Sequence, residues 1–192
     1  MAEAVDTAKQ RILTVPNILS LLRLALIPLF VGCYARGENA ATALLLVLSG
    51  LTDVLDGWYA RRFGAVSDLG KALDPAADKL TQAAMLAMLI SRHPQMLLPF
   101  VLLVVKELLA AVTGLLVIRR TGIVPSAVWH GKLTTLLLYT LMFTHVIWKD
   151  IPPALSNTMT TVCLAMMLYS MAAYAASNIR RIRESSTGRE IP

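Results

Sequence analysis

The chain has 192 residues, of which 56% are hydrophobic and only 16% charged, with a formal net charge of +6. A soluble domain is about 25% charged and about 45–50% apolar, so this composition points into a membrane and away from a secreted, disulfide-stapled or disordered protein. Cys33 and Cys163 both fall inside apolar runs, which supports neither a disulfide framework nor a zinc site.

Six apolar stretches follow one another, at residues 17–35, 40–60, 74–91, 95–118, 130–148 and 153–178. Crossing a hydrocarbon core takes about 20 residues, so six spans would use roughly 120 residues and leave only short connections. The expected fold is all-α: a polytopic membrane protein with six transmembrane helices. Its expected organisation is a juxtamembrane segment over 1–14, a six-helix domain over 15–183 and a short flexible tail over 184–192. Glu3 and Asp6 stand where a secretory leader would be basic, so no leader is expected. The polar separators are Arg36-Gly37-Glu38-Asn39, the segment 61–73, Arg92-His93-Pro94, the segment 119–129 and Lys149-Asp150-Ile151-Pro152.

Threading the chain through six spans sorts the cations. Lys9, Arg11, Arg61, Arg62, Lys71, Arg119, Arg120, Lys132, Arg180, Arg181, Arg183 and Arg189 fall on one side, against Arg36, Arg92 and Lys149 on the other. The positive-inside bias then puts both termini on the cytosolic face. The net charge of +6 reads first as topology, with attraction to anionic membrane lipid second. No basic face with interleaved aromatics is present, so no nucleic-acid partner is expected.

Five of the twelve acidic residues lie within 53–78, and four of them sit at the edges of apolar spans. Asp53 and Asp56 are spaced i,i+3, and Asp74 and Asp78 i,i+4, so each pair shares a helix face. At 1.5 Å per residue Asp53 lies about 12 Å up its helix from Arg61. An Asp at mid-membrane costs about 2.5–3.5 kcal/mol on insertion scales, and facing carboxylates repel, so the four must be protonated, paired or cation-bound. Two divalent ions would balance them, and oxygen-only ligation favours Mg²⁺ or Mn²⁺ over zinc. A local alternative exists for one of them: Asp74-Pro75 is also what an N-cap followed by an N1 proline looks like. Gly57 and Ala60 leave room for a bulky group near the backbone, and Arg61 suits forked bonding to phosphate. Gly70 lies one turn before Asp74.

The run Asp53-x-x-Asp56-Gly57-x-x-Ala60-Arg61, eight residues, Gly70-x-x-x-Asp74-x-x-x-Asp78 resembles the signature of the CDP-alcohol phosphatidyltransferases at all eight positions. Pro16-Asn17-Ile18-Leu19-Ser20-Leu21-Leu22-Arg23, Ile27-Pro28, Leu73–Lys79 and Gly131-Lys132-Leu133-Thr134-Thr135 resemble the branch that holds phosphatidylglycerophosphate synthases and cardiolipin synthases. The resemblance covers residues 15–136 and implies a homodimeric six-helix enzyme, expected in a bacterial inner membrane with its site facing the cytosol. It implies two divalent ions on Asp53, Asp56, Asp74 and Asp78, a CDP pocket shaped by Gly57, Ala60, Arg61 and Gly70, and Asp78 as general base. The donor would be CDP-diacylglycerol and the product nucleotide CMP.

The expected acceptor is glycerol 3-phosphate, a dianion whose pocket needs cations; Lys106, Arg119, Arg120 and Lys132 are the candidates. The alternative for Lys106 is an intramembrane charge balance with Glu107 or snorkelling, although adjacent residues on a helix do not face each other, so direct pairing is not the simplest form of it. The phosphatidylglycerophosphate synthases usually carry an arginine where this chain has Lys106, and lysine lacks the planar fork. That departure leaves phosphatidylglycerol, giving cardiolipin, as the alternative acceptor. Outside the family, a divalent-cation transporter would also put carboxylates in helices, and a prenyltransferase would also hold metal-diphosphate. Neither explains Gly57, Ala60, Arg61 and Gly70, and a prenyltransferase would release inorganic diphosphate rather than CMP.

Overall fold

The computed structural model describes residues 14–63, 68–121 and 129–186. They form six helices: α1 (Val15–Ala35), α2 (Asn39–Phe63), α3 (Asp68–Ile90), α4 (Leu97–Thr121), α5 (Trp129–Ile147) and α6 (Pro153–Ser186), with one 3-10 turn at Pro94–Met96. No strand occurs among the described residues.

Among the described residues, three stretches are long and apolar enough to cross a membrane: Val15–Ala35, Pro94–Arg119 and Pro153–Arg180. The apolar part of α2 is shorter and stops at Asp53, where the first acid of the signature enters. Helices α2, α3 and α5 have 25, 23 and 19 residues. A rise of 1.5 Å per residue makes them roughly 28–38 Å long, enough to reach across a hydrocarbon core. Their polar residues, rather than their length, keep them from reading as plain spans. α6 continues to Ser186, so the first part of the expected flexible tail is helical.

Contacts divide the chain into two compact units, Met1–Met88 with Val146–Lys149, and Leu89–His145 with Asp150–Pro192. In the first, α1 packs along α2. Thr14 caps α1, its hydroxyl accepting from the Asn17 N–H at 3.4 Å. The helix ends in a left-handed Gly37 (φ 83°), with Gly37 N–H donating to Tyr34 O and Glu38 N–H to Cys33 O, each at 3.0 Å. That pair of bonds satisfies the last carbonyls and turns the chain into α2 without a long loop. The buried face of α1 is Asn17, Ser20, Arg23, Leu26, Phe30 and Tyr34, while Ile18, Leu21, Leu22 and Leu29 are exposed. The inward stripe is thus polar over its first half and apolar over its second, and the outward side is apolar throughout. That inversion suits a helix whose solvent is lipid.

In the second unit α4 packs along α6. Asn178 Nδ2 donates to Thr113 Oγ1 at 2.8 Å, joining the two helices. Two histidines on α5 are buried and hydrogen-bonded to α6. His130 Nδ1 lies 3.1 Å from Ser170 Oγ, and His145 Nε2 lies 2.7 Å from Ser156 Oγ. Gln95 Nε2 also donates to Ser156 Oγ at 2.8 Å, tying the 3-10 turn into the same knot.

One local expectation is overturned. Helix α3 starts at Asp68, so Asp74 and Pro75 lie inside it and Asp74 is no N-cap. The segment 61–73, expected as a connection, is helical up to Phe63 and again from Asp68. Proline at position 75 removes a backbone donor without ending the helix, a cost that helices in membrane proteins tolerate.

Candidate metal and nucleotide site

Helix α2 carries Asp53, Asp56, Gly57, Ala60 and Arg61 in unbroken helical register. Offsets of three, four, seven and eight residues put all five positions on one side of the helix. Helix α3 likewise aligns Gly70, Asp74 and Asp78 at intervals of four. Two faces built in this way meet on an arginine from a third helix. Arg23 of α1 engages Asp53 Oδ1 through Nη1 at 2.8 Å, and through Nη2 engages Asp56 Oδ2 at 2.5 Å and Asp74 Oδ1 at 3.3 Å.

Among the described residues, Asp53, Asp56 and Asp74 each offer an oxygen within 4.8 Å of the others. The side chains are layered by depth: Arg23 is 2% exposed and Asp56 4%, whereas Asp53 and Asp74 are 50% and 48% exposed. The cluster therefore has a closed floor and an open top. Among the described residues, the three carboxylates share the one guanidinium of Arg23. Asp74 Oδ1 is buried without a hydrogen bond. Oxygen-only donors within reach of one another and an unbonded carboxylate oxygen together fit a hard divalent cation.

Asp78 stands outside the group of three. Its two carboxylate oxygens each accept from Gln82 Nε2 at 3.2 Å, and Lys79 Nζ lies 4.0 Å from Oδ2. Three of the four acids of the signature offer oxygens within 4.8 Å of one another, and Asp78, one turn further along α3, is near enough to act on Asp53 by charge. The side chains of Ala60, Arg61 and Arg120, and the surroundings of Gly57 and Gly70, lie outside the described residues.

The remaining acceptor candidates belong to the second unit. Arg119 and Lys132 are exposed. Lys106 Nζ contacts Glu107 Oε1 at 2.8 Å, with the lysine side chain 11% exposed. The contact is the charge balance set out as the alternative for Lys106, and it is made directly: a four-carbon stem reaches round the helix to the adjacent carboxylate, and a poorly solvated ammonium gains by doing so.

Sequence reasoning missed two site residues. Arg23 carried a signal, since an arginine inside an apolar run needs a buried partner. Gln82 carried one too, because it follows Asp78 at i+4.

An all-helical chain with long apolar spans, and carboxylates gathered about one buried arginine, is a membrane protein with a candidate cation site. Comparison with known proteins narrows this. The family model described as CDP-alcohol phosphatidyltransferase matches residues 13–177. The chain belongs to the CDP-alcohol phosphatidyltransferase family. It is 43% identical over 133 residues to the cardiolipin synthase (CMP-forming) of Streptomyces coelicolor, a match covering 65% of this chain and 61% of that one. It is 36% identical over 136 residues to the CDP-diacylglycerol–glycerol-3-phosphate 3-phosphatidyltransferase of Bacillus subtilis, covering 62% and 69%. The protein of the same name from Aquifex aeolicus is 32% identical over 177 residues, covering 88% of this chain and 98% of the relative.

Proposed function

We propose that this protein transfers the phosphatidyl group of CDP-diacylglycerol to glycerol 3-phosphate, forming phosphatidylglycerophosphate and CMP. The observation that carries the reading is the convergence of Asp53, Asp56 and Asp74 from two helices within 4.8 Å, on the family's own signature positions. The Aquifex relative, matched over 98% of its length, supports glycerol 3-phosphate as acceptor.

Asp53, Asp56 and Asp74, with Asp78 as the fourth expected ligand, would hold Mg²⁺ or Mn²⁺, and such ions when bound neutralise the donor diphosphate and the leaving nucleotide. Arg61 offers a fork to the diphosphate, and Gly57, Ala60 and Gly70 leave space for the CDP moiety. Asp78 takes the proton of the acceptor hydroxyl. The acceptor oxygen bonds to the phosphorus that bears diacylglycerol, and the bond from that phosphorus to the CMP oxygen breaks with its electron pair. Helices hold these groups still, which is the larger part of catalysis in phosphoryl transfer. Lys106, Arg119, Arg120 and Lys132 supply the positive charge proposed for the acceptor. Residues 15–183 form the proposed catalytic domain, working as a homodimer in a bacterial inner membrane with the site towards the cytosol. The bias of lysine and arginine to one side supports that orientation.

Phosphatidylglycerol as acceptor, giving cardiolipin, is the second reading. It is favoured by the 43% identity to the Streptomyces enzyme and by lysine at position 106. Purified protein supplied with CDP-diacylglycerol and each acceptor in turn decides between them. The expected result is CMP release with glycerol 3-phosphate, abolished by EDTA and restored by Mg²⁺ or Mn²⁺. CMP release with phosphatidylglycerol alone transfers the function to the second reading. No CMP with any alcohol under any metal condition refutes both.

A further inference from the structure

We propose that Arg23 is a resident counter-cation of the carboxylate cluster, competing with divalent cations for Asp53, Asp56 and Asp74. The inference rests on the metal-binding reading above and adds a residue that the signature does not include.

Four observations carry it. Arg23 belongs to the apolar span Val15–Ala35 and is 2% exposed, so its charge has no recourse to water. A guanidinium in that position is retained only with a partner. Its partners are the same three carboxylates that form the candidate metal group, met at 2.5–3.3 Å. Arg23 reaches them from the closed side. The half-exposed Asp53 and Asp74 define the open side by which an ion would enter. Finally, its hold is incomplete: Nε and Nη1 are buried without a hydrogen-bond acceptor, although Nη1 lies 2.8 Å from Asp53 Oδ1. An arginine serving only as a permanent anchor would have its donors satisfied in aligned, forked bonds. Only Nη2 is held by a hydrogen bond, donating to Asp56 Oδ2 at 2.5 Å; the contact of Nη1 with Asp53 is of charge for charge and is open to substitution by another cation.

Two consequences follow. Before a metal ion arrives, Arg23 keeps three like charges from driving α2 and α3 apart. Once an ion is present, Arg23 weakens the ion's hold, because both positive charges draw on the same oxygens and repel each other. Arg23 is therefore a positioning residue that lowers metal affinity while stabilising the metal-free protein.

The test uses the full chain in detergent, with Mn²⁺ binding read by electron paramagnetic resonance and unfolding followed in EDTA and in saturating Mn²⁺. Arg23→Gln is expected to bind Mn²⁺ about tenfold more tightly than the parent, the lower end of the coupling measured for close charge pairs. It should melt below the parent in EDTA and recover in Mn²⁺. Arg23→Lys, which keeps the charge on a shorter, unforked group, should fall between the two. Should Arg23→Gln not survive purification, tightened Mn²⁺ binding by Arg23→Lys supports the inference, and unchanged or weaker binding overturns it. Equal or weaker binding by a folded Arg23→Gln, or the same loss of Tm with and without Mn²⁺, overturns it while leaving the parent's metal site intact. If the parent itself binds no Mn²⁺, the metal reading fails and the inference falls with it.

Discussion

Gln82 gives the sharpest quantitative test of how Asp78 works. The glutamine is 1% exposed, and its one amide nitrogen donates to both oxygens of Asp78 at 3.2 Å. Because a single nitrogen serves two long contacts, they count as one shared bond. A hydrogen bond to a charged group contributes about 1.5–3 kcal/mol, and the length places this one at the lower end. Losing about 1.5 kcal/mol of orientation in the transition state slows turnover about tenfold. Gln82→Leu keeps the buried volume and removes the donor, so kcat should fall by that factor with the KM for CDP-diacylglycerol unchanged, and the Tm should drop by a few degrees for the same lost bond. Asp78→Asn sets the scale, since losing the general base proposed for Asp78 would cost about 10²–10⁴ in rate. CMP release under saturating substrates, with a thermal melt of each variant, measures both. A Gln82→Leu enzyme within about twofold of the parent would refute the positioning argument, as would a loss confined to KM.

Lys132→Ala should raise the KM for glycerol 3-phosphate about tenfold, the equivalent of one charged hydrogen bond, and leave the donor KM alone; equal effects on both would remove Lys132 from the acceptor pocket. His93, in the turn before Pro94, is held below its usual 6.5, first by burial and then by His145 and Arg92. The unfolded chain therefore takes up this proton more readily than the folded one. The stability His93 contributes is present above 6.5 and is lost as the pH falls through the lowered folded value. Melts of the parent should show Tm declining below that pH, and His93→Phe should flatten the decline; an unaltered slope in the variant assigns the pH response elsewhere.

The parts of this fold that could be read from sequence are those set by a single strong local term. Apolar runs separated by short polar segments located all six helices, and Arg36-Gly37-Glu38 marked the end of α1 because only a left-handed residue turns the chain there. The start of α3 could not be read, for two local terms conflicted. Asp74-Pro75 has the chemistry of a helix start, while Asp68–Leu73 is mixed enough to pass for a loop. The chain takes the longer helix, which starts at Asp68. At the site, spacing along α2 and α3 was enough to align the acids, because it depends only on the helical repeat.

What spacing cannot supply is the depth of each carboxylate or its partner across the fold. Asp56 and Asp53 differ from 4% to 50% exposed though they are three residues apart, and nothing in their order distinguishes them. The difference comes from α1, whose Arg23 lies thirty or more positions away in sequence. Yet the cation side of the problem was open to the same physical rule that singled out the acids. Threading the basic residues onto loops leaves Arg23, Lys79 and Lys106 within helices. Every one of the three contacts a carboxylate, at 2.8 Å for Arg23 and Lys106 and at 4.0 Å for Lys79. A charge inside an apolar helix implies an opposite charge beside it, whichever sign is found first. Applied to the cations as well as the anions, that rule requires a carboxylate partner for Arg23, and the acids of α2 and α3 are the group large enough to hold it.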